Sequence, residues 1–220
     1  FRQAMRIMGH QFVMGRTIGE ALERAATGDD ARYRHTYDML GESALTAADA
    51  ERYMQSYRAA IVAVGASVRA GSAPASWPSI SVKLSALHAR YEFGKREQVL
   101  SELGARIEAL ALDARAAGIA LTIDAEEADR LELSLELLDR LLRQPGLAGW
   151  EGLGLAVQAY SKRATDVLRF LGRRADETGR VLNVRLVKGA YWDSEVKRAQ
   201  ERGLPGYPVY TRKQNTDVAY

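Results

Sequence analysis

The chain has 220 residues, of which 47% are hydrophobic and 27% are charged, which is enough apolar material for a folded domain with a core. Cysteine is absent and the three histidines (His10, His35, His88) lie far apart, so disulfide bonds and thiolate sites are excluded and we predict no metal site. The formal net charge of +3 is small and opposite charges are interleaved along the helices, so we predict no nucleic-acid binding by this segment. The longest apolar run, residues 59–68, is far shorter than the ~20 residues of a spanning helix.

The first part of the chain is predicted to be helical up to about residue 33. Thr17 with Glu20 three residues later is the pattern of a helix N-terminal capping box. A short strand follows at 37–42. Thr46, with Asp49 three residues later, then predicts the start of a long helix whose apolar residues recur at helical spacing.

From residue 79 onward, apolar strand patterns alternate with amphipathic helix patterns. The predicted strands are 79–87, 119–126, 152–160 and 181–189, and a helix follows each of them. Another helix begins after Tyr210. Strands that are separated by helices indicate a parallel sheet with helical crossovers.

Such a sheet is either an open doubly wound sheet or part of a closed barrel. No glycine-rich turn follows any predicted strand, so the dinucleotide-binding fingerprint is absent. We therefore favour an incomplete (β/α)8 barrel of the TIM type, in the α/β class. About five βα units occupy residues 34–220, the N-terminal helical segment occupies 1–33, and about three further units are expected beyond Tyr220.

A polar residue interrupts the apolar pattern near the C-terminal end of each predicted strand. These residues are Asp38, Lys83, Asp124, Gln158, Arg185 and Lys188, with Glu42 just after the first strand. Active sites of barrel enzymes lie at this end of the strands. The alternative is an internal layer of ion pairs, but buried pairs contribute little stability. We expect cations to outnumber anions there, which predicts a carboxylate, phosphate or flavin ligand.

The segment after the fifth strand adds small and aromatic residues. Gly189 and Ala190 leave room for a ligand near the backbone, and Tyr191 and Trp192 can form a wall against a planar ring. Packing of Trp192 in the core is the alternative. Asp193 is predicted to be a helix N-cap without a chemical role.

Several of these motifs together resemble the proline dehydrogenase domain of bifunctional proline utilization A flavoenzymes. They are YDMLGE, ISVKLSALHARY, LTIDAEEADRLE, LAVQAYSKR, VRLVKGAYWDSEVKRAQ and YPVYTRK. The resemblance implies a distorted barrel that binds FAD non-covalently and oxidises L-proline to pyrroline-5-carboxylate, the first step of proline catabolism to glutamate. It also implies electron transfer to a membrane quinone. The expected location is cytoplasmic, with peripheral association of the parent protein at the inner face of the plasma membrane.

The resemblance also assigns roles to individual residues. Lys83 matches the lysine that holds the proline carboxylate, Asp124 an active-site aspartate, and Tyr191 a substrate-side wall. Glu42 matches an acidic residue that closes the site by pairing with an arginine expected beyond Tyr220. The positions that match flavin contacts are Gln158, Arg185, Val187, Lys188, Gly189, Ala190, Trp192, Thr211 and Lys213.

Two questions of chemistry stay open at this level. Asp124 either takes the proton of the substrate amine or only orients Lys83. Separately, the positive charge of Arg185 is expected to favour reduction of the flavin. The competing enzyme class is a Schiff-base barrel that uses Lys83 or Lys188 as the nucleophile. A catalytically silent segment is the other alternative, because the resemblance places the arginine pair for the substrate carboxylate outside this chain.

Overall fold

Five strands form one all-parallel sheet in the computed structural model, which describes residues 13–39, 41, 43–68 and 71–220. The strands are β1 Thr36–Asp38, β2 Ser79–Val82, β3 Ala120–Ile123, β4 Leu153–Gln158 and β5 Asn183–Val187. Each strand pairs in parallel with the next strand along the chain, so the spatial order is β1-β2-β3-β4-β5.

Helices connect the strands. They are α1 Ile18–Ala25, α2 Ala47–Ala66, α3 Leu84–Leu87, α4 Arg96–Ala116, α5 Leu131–Leu142, α6 Ala164–Thr178, α7 Trp192–Glu201 and α8 Lys213–Ala219. Short 3-10 turns lie at Gly28–Arg32, Pro74–Ser76, Phe93–Lys95, Ala128–Arg130 and Pro145–Leu147.

The sequential strand order identifies the architecture. A doubly wound sheet reverses direction at a switch point, whereas successive neighbours without reversal form the wall of a barrel. The predicted fold class, an incomplete (β/α)8 barrel of about five units, is therefore confirmed.

The helix ends follow the local sequence signals. The side chain of Thr46 accepts a hydrogen bond from the backbone of Asp49, and the Asp49 carboxylate accepts one from the Thr46 backbone, which completes the predicted capping box. The Thr17 side chain accepts from the Glu20 amide at the start of α1, but the Glu20 carboxylate accepts from the Arg16 amide, so the predicted capping box is only half formed. Gly118, with φ of +68°, follows the C-cap residue Ala117 of α4 in the left-handed conformation that glycine adopts without strain.

The hydrophobic core lies between the sheet and the helices. On β2, Ile80 and Val82 point into this core and are fully buried, whereas Ser79 and Ser81 alternate with them and face the inside of the barrel. Leu121 and Ile123 of β3 are also fully buried in the core. The apolar side of the sheet therefore anchors the helices, and its polar side lines the barrel interior.

The predicted boundary of the second strand was wrong. The strand ends at Val82 instead of Leu87, and Leu84–Leu87 form a helical turn. The change occurs where the backbone amide of Lys83 bonds to the hydroxyl of Tyr57 on α2, at 3.1 Å, instead of extending the ladder. β1 is likewise shorter than the predicted 37–42.

Within the residues that the structure describes, none of the helices combines the length and the hydropathy that crossing a bilayer requires.

Candidate active site

Lys83 lies at the C-terminal mouth of the barrel wall between two carboxylates. Its Nζ is 3.0 Å from each carboxylate oxygen of Asp38 and 2.6 Å from Oδ2 of Asp124. The Lys83 side chain is 16% exposed and that of Asp124 is 8% exposed, whereas Asp38 is 47% exposed. The cation is therefore clamped on its inner side and reachable from the Asp38 side.

This environment keeps Lys83 protonated. Burial by itself lowers the pKa of the ammonium group, but the hydrogen bonds and charges of Asp124 and Asp38 raise it by more, so the pKa of Lys83 lies above its ordinary value. A permanently charged lysine is a fixed binding site for an anion and a poor amine nucleophile.

The second oxygen of Asp124 is held by a different pair of groups. Oδ1 accepts a hydrogen bond from the hydroxyl of Ser81 at 2.6 Å and another from Nη2 of Arg185. The same Arg185 nitrogen donates to the Ser81 oxygen at 3.0 Å. Both oxygens of Asp124 are thus engaged by donors, which is the arrangement of an orienting group.

The predicted excess of positive charge at the mouth was wrong for the innermost groups. Lys83 and Arg185 face Asp38 and Asp124, so these four side chains carry no formal net charge. The pairing considered in the sequence analysis as the alternative to ligand binding is therefore present. Asp38 and Arg185 lie on β1 and β5, the two edge strands of the described sheet, and their side chains are 47% and 35% exposed.

Gln158 connects two loops of the mouth. Its Nε2 donates to the carbonyl oxygen of Glu126 at 2.9 Å, and its Oε1 accepts from the backbone amide of Ala190 at 3.0 Å. The Gln158 side chain therefore fixes the loop after β3 to the loop after β5. Its second amide hydrogen and the second lone pair of Oε1 are not used by these two contacts.

Gly189 is required by the fold itself. Its φ of +135° is unfavourable for other residues, and a Cβ at this position would lie 2.5 Å from Cγ of Tyr160. The absence of a Cβ at Gly189 thus allows the loop to pass over the Tyr160 ring. Val187 ends β5 beside Gln158.

The aromatic pair after β5 begins α7. Tyr191 is the N-cap residue and Trp192 is the first helical residue, so the predicted N-cap at Asp193 was wrong. Asp193 lies in the first turn, where a negative charge interacts favourably with the helix dipole. The Trp192 indole nitrogen donates to the Tyr210 carbonyl oxygen at 2.9 Å, and the residue is 42% exposed. The Trp192 ring therefore lies at the surface of the mouth and is not part of the core.

Lys188, Thr211 and Lys213, which are among the positions predicted to contact the flavin, lie together on the same side of the mouth. Lys188 and Lys213 both bond to Asp217 of α8, each at 2.6 Å, and the Lys188 side chain is 53% exposed. The segment before α8 is tied to the loop after β4, because the Tyr210 amide donates to the Tyr160 carbonyl oxygen. Thr211 is exposed immediately after this contact.

Some of the site residues differ from the predicted set. Glu42 lies outside the residues that the structure describes. The predicted set omits Ser81, although Ser79, Ser81 and Lys83 share one face of a strand by simple alternation. Tyr57 was also missed. A tyrosine in the apolar stripe of a helix is predicted to be a core residue, and the sequence does not show which group its hydroxyl contacts.

The donor set fits a flavin. β5 is an edge strand of the described sheet, so its last three residues are only half-buried and the mouth is open beside Arg185. This opening combines the Arg185 guanidinium, the half-exposed Trp192 ring and the Lys188 ammonium group. A planar ring that carries electron-rich oxygens and nitrogens and a phosphate tail can pack on such an aromatic surface and pair with such cations.

Comparison with known proteins gives a consistent result. The sequence profile described as "Proline dehydrogenase" matches residues 21–220. The chain is 55% identical over 217 residues to the bifunctional protein PutA of Klebsiella aerogenes, which covers 99% of this chain and 16% of that protein. A mutant of proline utilization A from Bradyrhizobium japonicum superposes with a TM-score of 0.88 at 54% identity, covering 100% of this chain and 22% of that chain.

A more distant structure agrees. Proline utilization A from Bdellovibrio bacteriovorus, inactivated by N-propargylglycine, superposes with a TM-score of 0.89 at 26% identity and covers 100% of this chain and 24% of that chain. The chain spans about one sixth of the length of three curated relatives that it matches.

Proposed function

This chain belongs to the proline dehydrogenase family, and we propose that it supplies much of the active site for the FAD-dependent oxidation of L-proline to pyrroline-5-carboxylate. The observation that carries the proposal is the protonated Lys83 held between Asp38 and Asp124 beside Arg185 at the mouth of the barrel. In this proposal residues 34–220 form the first part of the barrel domain, and residues 1–33 form a helical segment before it.

Lys83 binds the substrate carboxylate. An ammonium group has three N–H donors, and Asp124 takes one while the two oxygens of Asp38 take the others. A carboxylate therefore enters by displacing an oxygen of Asp38, the more exposed of the two partners. N-Propargylglycine, the inactivator of the Bdellovibrio relative, shares with proline a carboxylate and a substituted amine, which supports a site for such amino acids.

Asp124 orients Lys83 and Arg185 and does not act as a base. Its two oxygens already accept from Lys83, Ser81 and Arg185, which occupies three of about four lone-pair sites of a carboxylate and favours an orienting role. Proline that binds as the free amine requires no such base. Tyr191 lies on the substrate side of the site. The closing role of Glu42 stays an expectation, because Glu42 lies outside the residues that the structure describes.

The flavin side of the mouth is formed by β5 and the two segments next to it. The residues proposed to hold FAD are Gln158, Arg185, Val187, Lys188, Gly189, Ala190, Trp192, Thr211 and Lys213. Bound FAD supplies the acceptor for the hydride of the proline ring carbon next to nitrogen. Arg185 places a positive charge at this position, which favours the uptake of electrons. Gln158 and Gly189 act mainly on the shape of the loop.

The electrons pass to a membrane quinone in the proposed reaction. The protein is cytoplasmic and associates peripherally with the inner face of the plasma membrane. A Schiff-base mechanism is less well supported, since the raised pKa of Lys83 keeps its amine protonated. A silent segment is the second alternative, because the substrate arginines are expected outside this chain.

The test is the oxidation of L-proline by the complete protein that carries this chain. We expect flavin to copurify with it and pyrroline-5-carboxylate to form when a quinone analogue is the electron acceptor. A colourless protein that forms a borohydride-trapped lysine adduct with a carbonyl substrate would support the Schiff-base class instead.

A further inference from the structure

Two serines occupy positions inside the barrel wall where barrels ordinarily place branched aliphatic residues. Ser79 and Ser81 point to the inside of β2, and they are 6% and 0% exposed. A buried hydroxyl costs stability unless it forms hydrogen bonds, so each serine requires a partner.

The partners of the two serines differ. The Ser79 oxygen lies 3.3 Å from the Thr122 hydroxyl and 3.4 Å from the Ile80 carbonyl oxygen, which are both neutral. Ser81 instead lies between two charged groups. It donates to Oδ1 of Asp124 at 2.6 Å and accepts from Nη2 of Arg185 at 3.0 Å.

A hydroxyl group is suited to this position because it has one donor and two acceptor lone pairs. Ser81 can therefore satisfy the anion and the cation at the same time, with its O–H directed at Asp124 and a lone pair directed at Arg185. The third side of the triangle is the direct contact of Arg185 with Asp124. Two of these contacts start from the same Arg185 nitrogen and direct both of its N–H groups, whereas one contact alone would leave the guanidinium freer to rotate.

The need for such a support is greatest at Arg185. The Asp124 side chain is 8% exposed and Lys83 holds its other oxygen, so Asp124 is fixed without help from Ser81. Arg185 lies on β5, the last strand of the described sheet, and its described hydrogen bonds run from one nitrogen to Asp124 and Ser81. Active-site groups lose much of their effect when the residues that support them are loosened.

We propose that Ser81 is a positioning residue that fixes the guanidinium of Arg185 at the flavin side of the mouth. The inference rests on the proposed function, in which Arg185 lies beside the flavin. Ser81 itself contacts neither substrate nor cofactor in this assignment.

The test compares Ser81→Ala with Ser79→Ala in the complete flavin-loaded protein. Both variants remove a buried hydroxyl from the same face of β2, so they share any general effect on packing. We measure the equilibrium constant for two-electron reduction of the flavin, its visible absorption spectrum, and kcat and KM for proline.

For Ser81→Ala we expect about a tenfold less favourable reduction of the flavin, which corresponds to ~30 mV, together with a changed spectrum and a fall in kcat larger than any rise in KM. Ser79→Ala should keep the wild-type equilibrium constant and spectrum. Ser81→Thr retains a hydroxyl and should recover most of the wild-type value.

Equal flavin equilibrium constants for Ser81→Ala and Ser79→Ala would overturn the inference alone, as would a Ser81→Thr variant that is impaired as much as Ser81→Ala. If proline does not reduce the flavin of the wild-type protein, the proposed function fails, and the assignment of Ser81 fails with it.

Discussion

Lys83 is the residue on which substrate binding depends most directly. Its ammonium group is held by Asp124 and Asp38, and this environment raises its pKa, so it remains a cation at neutral pH. Replacing the cation by Lys83→Met removes the partner of a bound carboxylate. A hydrogen bond to a charged group contributes about 1.5–3 kcal/mol, so we expect kcat/KM for proline to fall about 10- to 150-fold, mainly through KM.

The matched control for this change is Lys197→Met. Lys197 lies on the outer face of α7, its side chain is 75% exposed, and it pairs only weakly with Glu201 at 3.7 Å. Steady-state kinetics of the two variants should separate them. Wild-type KM in Lys83→Met would contradict the role of Lys83.

Asp124 tests the distinction between a base and an orienting group. In Asp124→Asn the amide oxygen can still accept a hydrogen bond, but the NH2 group opposes the donors of Lys83 or Arg185. We expect kcat/KM to fall at least about tenfold, while the apparent pKa in the pH dependence of kcat/KM stays at the wild-type value. Loss of the acidic limb of that profile would identify Asp124 as the base instead.

The sequence predicts the charged members of the site better than the neutral ones. Lys83, Asp124 and Arg185 interrupt apolar strands, and the parallel sheet brings strand ends together. The hydroxyl of Tyr57 gives no such signal, because its contact with the Lys83 backbone joins residues 26 positions apart and depends on how α2 packs on β2.

At the scale of elements, the loop after β5 depends on a glycine. Gly189→Ala forces a Cβ into the Tyr160 ring and a side chain into a positive φ. Left-handed strain and overpacking together cost about 2–4 kcal/mol. We therefore expect a lower midpoint of thermal unfolding and weaker retention of flavin.

Gly172→Ala is the control for this variant. Gly172 lies on the exposed face of α6, and a Cβ there would have no atom within 4 Å. Alanine is the better helix former by about 1 kcal/mol, so this variant should unfold at an equal or higher temperature. A Gly189→Ala variant with the stability of Gly172→Ala would show that the loop accommodates the side chain.

The start of α2 could be read from the sequence, and the end of β2 could not. The Thr46 capping box involves residues three apart, so its signal is local. The end of β2 is set by Tyr57, and α3 begins where the Ser85 amide bonds to the buried Glu126 carboxylate at 3.0 Å. Both partners come from other elements, and an apolar run such as 79–87 contains no information about them.

At the scale of the whole molecule, stability should depend on a buried carboxylate of α7. Glu195 is 3% exposed and accepts from the Ala128 amide at 2.5 Å. Burial raises its pKa, and the Ala128 hydrogen bond and the charge of Arg198 offset this only in part. The folded state therefore binds more protons than the unfolded state, and the free energy of unfolding falls as pH rises through the raised pKa.

Glu195→Gln removes this titration and keeps an oxygen that accepts from Ala128. We expect the unfolding free energy of this variant to decrease less than that of the wild type as the pH rises above the ordinary pKa of a glutamate. Glu201→Gln changes an exposed carboxylate of the same helix and should leave the slope unchanged. Parallel pH–stability curves for Glu195→Gln and the wild type would contradict the prediction.

The architecture as a whole was the most accessible from sequence. Five apolar strand patterns separated by helices, without a glycine-rich turn, predicted a barrel wall, and the sheet order β1-β2-β3-β4-β5 confirms it. The resemblance to the proline dehydrogenase family is confirmed as well. The balance of charges at the mouth could not be predicted from the sequence, because it depends on which charged side chains pair in the fold. The ion pair of Lys188 with Asp217 is an example.

The central claim is that the cluster around Lys83 binds L-proline for oxidation by a flavin. Anaerobic titration of the complete protein with L-proline, followed by the flavin absorbance, tests it most directly. We predict stoichiometric loss of the flavin absorbance in the wild type, and a requirement for much higher proline concentrations in Lys83→Met. An absorbance that does not change when the wild-type protein is saturated with proline would contradict the claim.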